Sequence, residues 1–561
     1  MTLETVLGEP ALFRIDDPSE LPADLTLRER RLLVGAVNFH ALMAPGRTLT
    51  LHCYGGSWET LPRTTDDSTF TGMSRTFRKR LFSFGATSVV LPEVRTHIPA
   101  EAIARELAAT SVRHLHISSD SVLEFDPPRD VSPDPVRRVL RAIRSKTPLL
   151  YDEARDLALL RHRGSLTTPA PRRRYDAEFR PGGIHAESEI VVAPQAPEAA
   201  PRAVIVGLHW FELGGAERWA FESVRLIREA GFLPIVLTNR DSHQPWIGRP
   251  ELDGALVIPF SEPTSRSQTS GVEELLRALL STFDVRGVVV HHNQWLYDRL
   301  HWIARSRPGV PIMDSTHIVE YRGGGFPLSS VLVEEVISAH HVISPTLARW
   351  MVEVQNVPPE KVVMAPLGGL TVQIDEPEFA ERAPGAPLTV AFVGRMARQK
   401  APEVFVNMVH RLRGVTGLRF IMHGDGELAS AVGDIIASLG VQDRIERRDS
   451  HIPVTRTLEE AHLLVVPSHN EGLTLTTLEA VEHGVPVVST DVGAQRDIIP
   501  ERALVPRGAH AAVRALARLV AALAVDENAR RDLWIDERDA ERTLLARQTA
   551  NDWFAQEVSK W

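Results

Sequence analysis

Short apolar runs closed by glycines or polar turns alternate with amphipathic stretches along most of the chain. Beyond residue 202 the alternation becomes regular. Residues 203–207, 233–238, 288–290 and 310–313 are strand-like, as are 388–393, 462–467 and 485–489, and helical spacing is clearest over 216–230. Strand-length runs alternating with helical stretches predict βαβ units and parallel sheets. Earlier in the chain, residues 48–53, 87–91 and 114–117 are strand-like and 100–109 and 135–145 are helical, which predicts an α/β accessory unit over residues 1–170. The proline- and alanine-rich stretch 171–201 predicts a linker. A domain over 202–371, a polar connection, a domain over 388–525 and a helical segment over 526–561 follow. The expected fold class is therefore α/β: two Rossmann-like domains facing a cleft, preceded by an extra α/β domain.

Between the apolar runs 462–467 and 485–489 lies Glu471-Gly472-Leu473-Thr474-Leu-Thr-Thr-Leu-Glu479. In a strand–loop–helix–strand unit, Glu471 falls on the loop and Glu479 about two helical turns further on. Ligands of open α/β sheets bind beyond the carboxyl ends of the strands, so the two carboxylates can hold two parts of one elongated ligand. On spacing alone, two unrelated surface glutamates explain the run better.

Four segments in order over residues 203–525 resemble the retaining, family 4-type glycosyltransferases of GT-B fold. The first is Leu213-Gly214-Gly215-Ala-Glu217-Arg218. The second is Gly394-Arg395 followed by Lys400, the third Gly424-Asp425-Gly426, and the fourth Glu471 through Glu479 to Gly493. The resemblance implies that Arg395 and Lys400 clamp a donor diphosphate, Glu471 faces the donor sugar and Glu479 grips the ribose. Gly472, Leu473 and Thr474 offer backbone amides, and Gly424 allows a tight turn near the base. Gly214 and Gly215 open a helix toward an anion or an acceptor. Asp314-Ser-Thr-His317 resembles the segment whose histidine approaches the donor sugar, which makes His317 and Glu471 the candidate catalytic pair. His292 is a weaker rival, and a purely structural histidine stays an open alternative. Two places depart from the family pattern: Arg496-Asp497 replaces a glutamate, and Pro366-Leu367-Gly368-Gly369 replaces proline-asparagine-glycine.

Composition narrows the function classes. A 561-residue chain with 43% apolar and 24% charged residues suits a globular enzyme, and its net charge of −9 argues against nucleic-acid binding. No apolar run has membrane-spanning length. The first residues lack a basic, apolar leader pattern, and Cys53 is the only cysteine. A cytoplasmic protein is expected, with the inner membrane face as an alternative site. The basic run from Arg75 to Arg80, with Met73, Phe77 and Leu81 at helical spacing, reads as an amphipathic helix packed on the first unit. Contact with an anionic membrane is its alternative.

No Asp-x-Asp occurs, so charge growing on the leaving diphosphate is expected to fall to Arg395, Lys400 and helix N-termini rather than to a metal. The expected partner is a nucleoside diphosphate sugar as donor substrate, with no cofactor. The acceptor, the donor base and the oligomeric state are not readable. The expected function is transfer of that sugar with retention, in glycan or glycoconjugate biosynthesis. A silent sugar- or nucleotide-binding protein and a sugar-nucleotide epimerase on the same fold are the rivals.

Overall fold

The computed structural model describes residues 3–55, 79–91, 110–117, 139, 143, 146–160, 167–180, 187–212, 214–240, 242, 244–260, 272–318, 324–369 and 374–561. The helical runs expected over 100–109 and most of 135–145 lie outside these residues. So do Met73, Arg75 and Phe77.

Two parallel sheets dominate. In chain order the strands of the first are Arg202–Leu208, Leu233–Thr238, Leu256–Pro259, Asp284–His291, Ile312–Thr316, Ala339–Val342 and Val362–Met364. They stand side by side in the order 3-2-1-4-5-6-7. The second sheet uses Leu388–Val393, Leu418–His423, Ile445–Arg448, Leu463–Val466, Val487–Thr490 and Leu504–Val505 in the order 3-2-1-4-5-6. Helices cover both faces of such sheets, which is why strands such as Leu463–Val466 are buried along their whole length and lack polar alternation. In each sheet the strand order reverses between strands 1 and 4, and this opens a crevice at their carboxyl ends. The expected α/β class, with two Rossmann-like domains preceded by a further α/β region, is the fold observed.

That further region has its own four-stranded sheet. Lys79–Ser88 pairs antiparallel with Phe13–Ile15 and Thr48–Gly55, and Val112–His116 joins Thr48–Gly55 in parallel. Lys79, Arg80 and Leu81 therefore lie in a strand and not in the expected amphipathic helix, because the Thr48–Gly55 ladder pairs their backbone.

The core of this region runs into the second unit. The helix Leu27–Met43, started by a Thr26/Glu29 capping box, packs on the strand Leu256–Pro259 and the helix Val272–Thr282, and its apolar residues share one buried cluster with that side of the large sheet. Buried Arg31 adds a polar tie, at 2.9 Å from Glu9 and 2.8 Å from the Ile247 carbonyl. The expected linker is also engaged. The Val191 carbonyl accepts from Trp302 Nε1 at 2.9 Å and the Ala193 carbonyl from Arg307 at 3.0 Å. A proline-rich backbone has few amide donors, but its carbonyls remain strong acceptors. Further on, the helix Pro148–Leu160 packs on Pro402–Arg411 and Ala509–Val525 of the other Rossmann-like domain.

The chain ends by crossing back. The helix Glu527–Leu545 lies on the six-stranded domain, where Glu537 accepts from the Val487 amide at 2.9 Å. The helix Ala550–Val558 then packs on Gly215–Glu229 of the seven-stranded domain, with Phe554 edge-on to Trp219. The divergent Pro366–Gly369 turn receives this return: the Ala550 amide donates to the Pro366 carbonyl at 2.9 Å.

Candidate functional site

The crevice of the six-stranded domain is built by two loops. One follows the strand Leu388–Val393 and carries Gly394, Arg395 and Lys400; the other follows Leu463–Val466 and carries Glu471. Lys400 Nζ lies 2.7 Å from Glu471 Oε1, and Ser468 Oγ donates to the same oxygen at 2.6 Å. Glu471 is 3% exposed, so this buried carboxylate is held by a cation and a hydroxyl. Thr474 caps the helix Leu475–Glu482 by accepting from the Thr477 amide at 3.3 Å. The Leu473 side chain belongs to the core, so that residue can offer a ligand only its backbone.

Gly424 has φ +133°, and a Cβ there would strike the Gly394 carbonyl. Only glycine fits this close stacking of the two loops. The Met396 amide completes the seam by donating to the Asp425 carbonyl at 2.7 Å.

Across the crevice, Gly214 caps the helix Gly215–Glu229, and Gly215 lies against Leu475. Gly472 sits so close to the His317 carbonyl that no side chain would fit between them. The two domains thus meet at the sequence-predicted positions. Arg218, one turn into the helix, places its guanidinium 3.1 Å from Glu479 Oε1. Glu217 is buried under this turn and accepts from Trp210 Nε1 at 3.0 Å. Burial holds its carboxyl above the usual range, against the pull of the Trp210 hydrogen bond and the Arg395 charge. Among the described residues the Arg395 guanidinium has no ion-pair partner.

His317 lies in a cluster of buried histidines. Its Nε2 is 3.2 Å from Ser315 Oγ, and its ring is edge-on to His292 with centroids 5.0 Å apart. Ser315 Oγ also accepts from Trp219 Nε1 at 3.0 Å and lies 2.7 Å from His341 Nδ1. His341 Nε2 is 2.8 Å from the Ala365 carbonyl and must donate to it. A neutral imidazole has one donor, so His341 Nδ1 accepts from Ser315, His317 Nε2 donates to Ser315, and His317 Nδ1 keeps the lone pair. Burial drives the affinity of His317 for a proton well below that of a free imidazole and takes His292 and His341 down to about 4. His292, the weaker sequence candidate, is thus part of the same cluster; it sits in the left-handed region at φ 54°.

Sequence reasoning missed Arg218 as the partner of Glu479, and Ser468 as that of Glu471. It also missed Asp497, which accepts from the Thr346 amide at 3.0 Å and so ties the two domains. The departure from the family glutamate at 496–497 was the available signal.

Two Rossmann-like domains with opposed crevices are the GT-B glycosyltransferase fold. Residues 387–522 match the family described as glycosyl transferases group 1. The chain is 30% identical over 240 residues to D-inositol 3-phosphate glycosyltransferase of Thermobispora bispora, which covers 38% of this chain and 56% of that protein. It is 30% identical over 231 residues to the protein of the same name from Mycobacterium tuberculosis, covering 36% and 47%. The chain spans about half the length of the curated relatives it matches. Among solved structures, Anabaena Alr3699/HepE in complex with UDP-glucose superposes with a TM-score of 0.50 at 13% identity, over 64% of this chain and 98% of that one. No helix among the described residues is long and apolar enough to cross a membrane.

Proposed function

We propose that this chain is a retaining, metal-independent family 4-type glycosyltransferase that moves a sugar from a nucleoside diphosphate sugar to an acceptor hydroxyl. The observation that carries the reading is the meeting of Lys400, Glu471 and Glu479 at the crevice of one domain with Gly215, Arg218 and His317 of the other.

In this reading the diphosphate lies between Arg395 and Lys400, close to the backbone amides of Gly472, Leu473 and Thr474 and to the helix N-terminus at Gly214 and Gly215. Glu479 accepts from the ribose diol, exchanging Arg218 for it. Glu471 orients sugar hydroxyls, with His317 on the other side. The bond from the anomeric carbon to the diphosphate oxygen breaks, and the acceptor oxygen bonds that carbon on the same face. The acceptor proton passes to the leaving phosphate oxygen, so the products are a glycoside and a nucleoside diphosphate. The fixed cations stabilise charge as it grows in the leaving group, which is where preorganised electrostatics act most strongly. Gly424 shapes the turn beside the base. The product belongs to glycan or glycoconjugate biosynthesis.

The test is a thermal-shift and turnover screen of UDP-, GDP- and ADP-sugars, with inositol phosphate among the first acceptors, repeated in EDTA. One donor should stabilise the protein and be consumed, with no loss on chelation. Donor binding without transfer to any acceptor would mark a silent binder, and release of free nucleotide with an epimerised sugar would mark an epimerase.

A further inference from the structure

A second buried ionic cluster lies behind the Glu471 turn, and one of its members comes from outside both Rossmann-like domains. Asp152, on the helix Pro148–Leu160, is 3% exposed; Glu403 and His469 are 4% exposed each. His469 Nε2 lies 3.4 Å from Glu403 Oε1 and 3.9 Å from Asp152 Oδ2. The His469 amide donates to the Gln399 carbonyl at 2.9 Å, joining the turn that carries Glu471 to the loop that carries Lys400.

We propose that Asp152 is a positioning residue for the sugar-nucleotide site: with Glu403 it clamps the His469 imidazolium, and the clamp fixes the Lys400 and Glu471 loops against each other. The inference rests on the reading of that crevice as the donor site.

Charge count favours a proton over a metal ion as the bridge. Arg398 Nε lies 3.9 Å from Asp152 Oδ1, so two carboxylates face one guanidinium and one imidazolium, and with Glu403 ionised the four charges cancel. A divalent ion in place of the proton would leave a net positive charge in a buried site. Burial disfavours a charged His469, but the two carboxylates facing Nε2 outweigh it and lift it to about 9. Burial likewise opposes ionisation of Asp152, yet His469, Glu403 and Arg398 hold its carboxyl below the usual range, while burial takes Glu403 up to about 7.

The outer groups on the same helix are satisfied without His469. Asp156 binds Arg507 at 3.0 Å and Arg398 at 3.3 Å, and Glu153 binds His510 Nδ1 at 2.9 Å. The helix therefore stays docked when Asp152 alone is neutralised, and this separates positioning from folding.

The experiment uses the full chain with Asp152→Asn, and Glu153→Gln as the control that weakens only an exposed tie of the same helix. His469 is followed by proton NMR without ligand and assigned by its absence in His469→Gln. In Asp152→Asn its titration should fall by about one pH unit or more. UDP affinity by calorimetry and donor turnover should fall more steeply with rising pH in Asp152→Asn than in wild type and Glu153→Gln, with turnover down by about tenfold. Asp152→Glu should restore part of both. A folded Asp152→Asn protein with unchanged His469 titration overturns the clamp. So does a stoichiometric divalent ion that co-purifies and is lost in this variant. A shifted titration with unchanged turnover overturns the positioning role. If wild type uses no nucleotide sugar, the proposed function fails and the His469 titration alone decides whether the clamp exists.

Discussion

Two buried histidines serve the two sides of the crevice in opposite charge states. His317, at the end of the seven-stranded sheet, touches Ser315 and His292, neither of which carries a charge that would hold a proton on it. His469, behind the six-stranded crevice, has two carboxylates within 4.0 Å. Burial acts on both rings in the same direction, so the partners make the difference. Around His317 the seven-stranded domain presents a neutral polar patch, while its Arg218 stays charged against Glu479. The other domain presents paired charges. In the proposed reading the sugar lies between the His317 patch and Glu471, and the diphosphate meets Arg395 and Lys400.

The largest test of this contrast removes the charge nearest the reaction. Lys400→Ala should lower turnover by ~2–4 kcal/mol in transition-state stabilisation, roughly 30- to 1,000-fold. The same change leaves Glu471 buried with Ser468 as its remaining partner, so the melting temperature should drop as well. Kinetics on the folded fraction separates the two effects. Undiminished turnover would mean that the diphosphate does not use this cation.

Acid should attack the neutral patch first. Histidines whose folded pKa is depressed bind fewer protons than the unfolded chain below its value of 6.5, so their contribution is lost as pH falls. For His292 and His341, held at about 4, the window runs from pH 6.5 down to about 4, and each contributes at most about 3 kcal/mol. His469 has the opposite sign: its contribution is present below 6.5 and is lost as pH rises through about 9. Melting temperature against pH should therefore fall on both flanks, and His469→Gln should flatten only the alkaline one. A curve level from 6.5 to 4.5 would contradict the neutral patch.

What the sequence made legible is what lies close along the chain. Period and turn residues expose the βαβ units, and Gly394-Arg395 with Lys400, or Glu471 with Glu479, fall within one strand–loop–helix segment each. The structure sets the two segments side by side, with Lys400 on Glu471. Contacts across long separations left no such trace. Asp152 reaches His469, Arg218 reaches Glu479, and Arg31 reaches the Ile247 carbonyl; each depends on how finished elements pack. The shared core of the first two units was hidden for a related reason. The helix Leu27–Met43 is buried nearly all round, so it has no polar face to give an amphipathic signal. A proline-rich stretch also looks like a linker whether or not its carbonyls are bound.

The smallest expected effect concerns the bridge that spans the crevice. Arg218 and Glu479 are 37% and 16% exposed as side chains, so their pair contributes only ~0–1 kcal/mol. Arg218→Ala should leave stability within that range and leave UDP affinity equal or slightly tighter, because the ribose no longer competes with a guanidinium. Glu479→Ala removes the carboxylate that the diol needs and should weaken UDP by ~1.5–3 kcal/mol. Calorimetry with UDP on both variants reads the difference directly. If Arg218→Ala weakened UDP as much as Glu479→Ala does, the guanidinium itself would be a ligand of the nucleotide.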